Sequence, residues 1–198
     1  KPGELVRRVH TKEPEQLGER RLTLAREGTT AYLKIAYHAP AVSDSDFFPM
    51  LILDAVLTGA KGVNLWASFR TPPPQRSARL YRALVNTGLS SSVTGGLVPT
   101  EHPFMYTLSL TATDGTSLQR LEEATLAEIE RVRTEGITEA ELLKARNQLR
   151  ARLVFENDSI TNIGHQLGYF QTIGSWQLYP ALRERIDAVT VAEVSAVA

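Results

Sequence analysis

The chain has no cysteine, which excludes a disulfide-stapled framework, a thiolate metal site and a thiol nucleophile. It also lacks an excess of either charge, since 22 Lys and Arg are matched by 22 Asp and Glu. Binding to nucleic acid without sequence preference draws its affinity from many cations set against phosphates, so no nucleic-acid partner is expected. Nor is there a long apolar run. A bilayer span needs roughly 20 apolar residues, and the most apolar stretch, 47–57, is short and interrupted by Asp54. No membrane span is therefore expected. What remains is 198 residues, 42% of them hydrophobic and 22% charged, which suits a single globular unit with a sizeable core.

Residues 1–18 carry Pro2, Gly3, Pro14 and Gly18 among many charges, the composition of a linker from a preceding domain. The stretch also lacks the apolar segment of a secretion signal. The folded unit is expected over 19–198. Residues 20–26 and 30–39 both alternate polar and apolar, and the short Gly28 connection between them predicts a hairpin. A helix follows, with Ser45 as its cap, Asp46 at its positive end and Pro49 in its first turn. Its body, FFPMLILDAVLTG, is apolar on nearly every face and so predicts a helix buried between other elements.

Residues 60–77 read as an irregular loop stiffened by Pro72, Pro73 and Pro74, with Trp66 and Phe69 either docked on the core or presented to a partner. A short helix with Leu80, Ala83 and Leu84 on one face then ends at Gly88. Residues 90–98 and 103–113 predict a second hairpin, in which Gly95 and Gly96 suggest a bulge or kink. Everything from 116 onward is helical in pattern. Thr138 with Glu141, and Thr190 with Glu193, have the spacing of capping boxes, and Ser159 precedes a further helix. The second box opens so near the last residue that the unit is expected to be truncated at its C-terminus. The order β-β-α-α-β-β followed by helices predicts an α+β fold: an antiparallel sheet with helices packed on one face, a two-layer sandwich.

Chemistry is sparse. The four histidines, His10, His38, His102 and His165, include no pair one helical turn apart, the spacing that aims two imidazoles at one zinc. Ser90, Ser91 and Ser92 lack the second glycine of a nucleophile elbow and read as the start of a strand. Gly95-Gly96 lacks the lysine context of a phosphate loop. Glu122-Glu123 and the group Glu128, Glu130, Arg131, Arg133 fit a solvated helix face. From these residues no catalytic, cofactor-binding or metal-binding residue is assigned.

The segments AYLKIAYHAPA, DSDFFPMLILDAVL, ARLYRALVNTGLSSSV, GITEAELLKARNQLRARLVFENDS and ITNIGHQLGYFQTIGSW together resemble the C-terminal-type, non-zinc-binding half-domain of the pitrilysin/insulinase family of zinc metallopeptidases. The resemblance extends over about residues 18–195. It implies a parent protein in which paired α+β domains enclose a chamber and hydrolyse peptides. Zinc would lie in a preceding half-domain carrying H-x-x-E-H, in the same chain or a paired subunit, while this half, lacking that motif, would be inactive alone. Its implied part is to wall the chamber and help hold the peptide substrate. The family also places an Arg and a Tyr seven residues apart around a Gly-Leu pair. Alignment on Gly88-Leu89 puts Leu84 and Ser91 there, and neither can serve as an oxyanion donor of that kind. The alternative reading is a catalytically inactive scaffold or binding protein of the same fold, and an unrelated α+β ligand-binding domain is the third. A periplasmic or otherwise exported location is implied by the resemblance alone.

Overall fold

The computed structural model describes residues 14, 16–63, 75–157 and 159–198. Most of the expected linker and most of the 60–77 loop, including Trp66, Phe69 and the three prolines, lie outside the described residues.

Three strands form one antiparallel sheet in the order β1-β3-β2: β1 (Tyr32–Ala39), β2 (Ser90–Leu97) and β3 (Phe104–Ala112). Alternation along each strand divides the residues between two faces. Leu33 and Ile35 stand beside Leu110 and Leu108 on the inner face, whereas Lys34, Ala36 and Thr107 share the outer one. Because β3 lies in the middle, its inner positions Tyr106, Leu108, Leu110 and Ala112 are all buried. Helices α2 (Leu118–Glu135), α3 (Glu139–Glu156), α4 (Ile160–Ile173), α5 (Leu178–Ala188) and α6 (Val191–Val197) follow the sheet. Between sheet and helices runs α1 (Phe47–Thr58), packed against β2 on one side and α3, α5 and α6 on the other. Every residue of α1 is buried, as its uniformly apolar sequence requires. Each Leu or Ile so removed from water contributes about 1.5–3 kcal/mol.

The local signals at the helix starts are realised. Thr138 Oγ1 accepts from the Glu141 N–H at 3.2 Å while the Glu141 carboxylate accepts from the Thr138 N–H at 2.9 Å. Thr190 and Glu193 repeat the arrangement at α6, and Ser159 caps α4. No helix among the described residues is long and apolar enough to cross a membrane.

Four expectations are corrected. Residues 20–26 form no strand, and Leu22 and Leu24 are exposed; β1 pairs with β3 instead, so the sheet has three strands and not four. Alternation makes a segment able to pair but does not supply an apolar surface to cover it, and Arg21 is drawn to Glu122 of α2 at 2.6 Å. Second, Ser45 does not cap α1. Asp46 occupies the cap position, the Ser45 hydroxyl donates to Asp46 Oδ1 at 3.2 Å, and the Phe47 N–H is taken by the Asp44 carbonyl. Third, the helix at 78–88 contains a π-helical turn at Tyr81–Val85, closed by Asn86 N–H to Tyr81 C=O at 3.1 Å. Fourth, the register shift in β2 falls between Ser90 and Ser92, not at the glycine pair.

Candidate functional site

A buried polar cluster lies where α1 crosses under β2. Asp54, the single carboxylate of that apolar helix, accepts from Thr58 Oγ1 at 2.6 Å and from the Tyr106 hydroxyl at 2.9 Å on Oδ1, and from Lys61 Nζ at 2.6 Å on Oδ2. The Lys61 ammonium spends its remaining donors on Thr58 Oγ1 at 2.7 Å and the Gly59 carbonyl at 3.1 Å. Burial first, and then the neighbouring Asp54 carboxylate, push the Tyr106 phenol well above its ordinary range. Both carboxylate oxygens are thus occupied. Buried and engaged on both oxygens, Asp54 ties α1 to β3 beneath β2, and the cluster reads as a structural anchor. Gly95 is explained by the same cluster: a Cβ there would stand 2.2 Å from Asp54 Oδ1 and 2.5 Å from Thr58 Oγ1. The sequence signal for this network was the lone Asp54 in an apolar run, but its partner Tyr106 is set by the sheet and could not be read locally.

A second polar knot joins the 78–88 helix to the α2–α3 turn. Arg79 donates to both oxygens of Glu141 at 2.7 and 2.8 Å and to the Gly136 carbonyl at 3.1 Å. The Arg79 hydrogen bonds hold the Glu141 carboxyl down at about 2. Glu128, expected on a solvated face, is instead buried, with Arg131 at 2.6 Å and Arg79 at 3.9 Å. The neighbouring Glu130–Arg133 pair does lie on the exposed face.

The positions at which the family resemblance seeks an Arg and a Tyr give no such groups. Leu84 is core, and Ser91 is exposed with its hydroxyl on the Thr111 carbonyl at 3.3 Å. His38, His102 and His165 are exposed on β1, a loop and α4, and His10 lies outside the described residues. Among the described residues no three His, Asp or Glu side chains gather as metal ligands require. These residues do not fit a zinc ion, and no zinc-dependent step is assigned to them.

What the fold leaves available is an edge and a face. The Ala112 N–H to Ala31 C=O bond, at 2.9 Å, fixes the parity of the β1–β3 ladder. Residues 33, 35, 37 and 39 turn their backbone groups toward β3, and Tyr32, Lys34, Ala36 and His38 turn theirs to the outer edge of β1. Among the described residues nothing pairs with that edge. The adjoining outer face carries Thr107, Ser109, Thr111, Ser92 and Thr94, hydroxyls that hydrogen-bond without demanding one side chain in return. An edge strand beside a polar face can take an extended chain by main-chain pairing.

The sequence profile described as the peptidase M16 inactive domain matches residues 6–149. Comparison with curated protein sequences finds no match. Among solved structures, a candidate zinc protease from Bordetella pertussis Tohama I superposes with a TM-score of 0.71 at 21% identity, covering 86% of each chain. The inactive peptidase domain of a candidate zinc protease from Bordetella parapertussis gives 0.69 at 24% identity, over 89% of this chain and 88% of that one. A protease from Helicobacter pylori gives 0.73 at 15% identity, over 86% of this chain but only 38% of its own length.

Proposed function

The chain belongs to the peptidase M16 inactive-domain family, and from that membership we propose that it is the non-catalytic, C-terminal-type half of a zinc metalloprotease, walling the cleavage chamber and holding the peptide substrate in extended form along β1. Zinc and its general base belong, in this reading, to a partner half-domain in the same polypeptide or a paired subunit. The observation that carries the substrate-holding part is the open outer edge of β1, where the N–H and C=O groups of Tyr32, Lys34, Ala36 and His38 point away from β3. A substrate strand laid there gains main-chain hydrogen bonds of about 0.5–1.5 kcal/mol each, whatever its sequence. Leu84 and Ser91 supply no guanidinium or phenol, so donors to the oxyanion would come from elsewhere in the assembly.

The test is zinc content together with cleavage of a quenched fluorescent peptide, by this chain alone and by the parent assembly. Zinc and activity confined to the parent support the reading. Stoichiometric zinc in this chain alone overturns it, and a parent with neither zinc nor cleavage leaves the inactive scaffold as the function.

A further inference from the structure

The free edge of β1 has two unlike sides, and a chain laid along it meets both. Its outward backbone groups belong to Tyr32, Lys34, Ala36 and His38, and the side chains of those same residues lie on the outer face, all exposed. Lys34 is the one permanent cation at the strand positions of that face among the described residues. It stands opposite Ser109, which stands opposite Thr94, so its neighbours across the sheet are hydroxyls. Hydroxyls hydrogen-bond to an ammonium but do not neutralise it. No outer-face strand position carries an acid. The carboxylates of the adjoining connections are Glu27 before β1, Asp44 and Asp46 after it, and Glu101 and Asp114 on either side of β3. Among the described residues no ion pair joins Lys34 or His38 to any of them.

The inner side differs in both charge and polarity. Leu33 and Ile35 lie half-buried along it, opposite Leu110 and Leu108. Helix α2 packs there, and its Leu118 and Leu126, 36% and 37% exposed, lie one turn to either side of Glu122. Glu122 and Glu19 both hold Arg21 at 2.6 Å. Burial first, and then the Glu19 and Glu122 carboxylates, push the Tyr37 phenol up. This side thus offers apolar surface and already holds acids of its own.

A strand paired with β1 sends alternate side chains to the two sides, each directly across from a residue of β1. An acidic residue opposite Lys34 meets an ammonium without an ion partner, and the residues before and after it meet Leu33 and Ile35. We propose that β1 selects extended peptides in which Asp or Glu alternates with aliphatic residues, and that Lys34 sets the preference. The inference rests on the proposed holding of substrate along β1 and names the class of peptide held. His38, four residues on and on the same side, adds a ring N–H donor for a second acid.

The test uses two fluorescently labelled peptides, one with Val alternating with Glu and one with Val alternating with Lys. Their affinities for the parent assembly are read by fluorescence anisotropy before cleavage sets in. The Glu peptide is expected to bind about three- to tenfold more tightly, because a cross-strand pair of opposite charge is favourable and one of like charge is not. Lys34→Gln should remove most of that difference, and Lys34→Glu should reverse it. Ala36→Pro, which removes an edge donor, should weaken both peptides alike. Equal binding of the two peptides, tighter binding of the Lys peptide, or a preference that Lys34→Glu leaves unchanged overturns the assignment. If Ala36→Pro still weakens both peptides in that case, the β1 reading stands without it. If Ala36→Pro weakens neither, β1 does not hold the peptide and both fall together.

Discussion

Gly95 and Asp54 are fitted to each other across 41 residues of sequence: the glycine leaves the space that the carboxylate fills, and a single added methyl would stand 2.2 Å from Oδ1. The strand cannot yield without opening the β2–β3 ladder, and the carboxylate cannot yield without releasing Lys61 and Tyr106. Gly95→Ala is therefore expected to destabilise the fold by about 1–3 kcal/mol, the usual penalty for overpacking. Gly164→Ala, in α4 with nothing within 4 Å, is expected to stabilise by about 0.5–1 kcal/mol, because alanine is the better helix former. Urea denaturation of both variants decides the comparison.

Removing the carboxylate isolates a buried cation. Asp54→Ala leaves the Lys61 ammonium without its ion partner, and the expected loss is about 3–5 kcal/mol. Adding Lys61→Met to that variant removes the orphaned charge and should recover most of the loss. A double-mutant cycle with a strong positive coupling confirms the anchor, and additive losses would contradict it.

The Arg79–Glu141 knot carries a pH signature. The Glu141 carboxyl lies near 2 in the folded chain against an ordinary value of 4.5. Its contribution is full above the ordinary value and is lost as pH falls from about 4.5 toward 2, because the unfolded chain takes up the proton first. Arg79→Met should flatten that part of the stability profile, measured by thermal melting between pH 5 and pH 2.5, which spans most of the interval over which the contribution is lost. An unchanged slope would mean that Glu141 is not held by Arg79.

Features encoded within a few residues were legible in the sequence. The Thr138–Glu141 and Thr190–Glu193 boxes, the buried α1 and the β2–β3 hairpin all follow from spacing or from uniform apolarity, and each is realised. Features that need a partner in space were not. Residues 20–26 alternate as a strand does, but no apolar surface receives Leu22 and Leu24. The glycine pair reads as a bulge until Asp54 is placed beside it. Glu128 looks solvated until Arg79 arrives from 49 positions upstream.

The central claim, that this inactive half holds the substrate along β1, is tested most directly by Ala36→Pro in the parent assembly. The Ala36 N–H faces the free edge, so proline removes a donor that β3 does not use while keeping the sheet intact. The expected result is a KM for a quenched peptide raised about tenfold, the loss of one or two main-chain hydrogen bonds, with kcat, zinc content and melting temperature unchanged. A KM equal to that of the unsubstituted assembly would contradict the account.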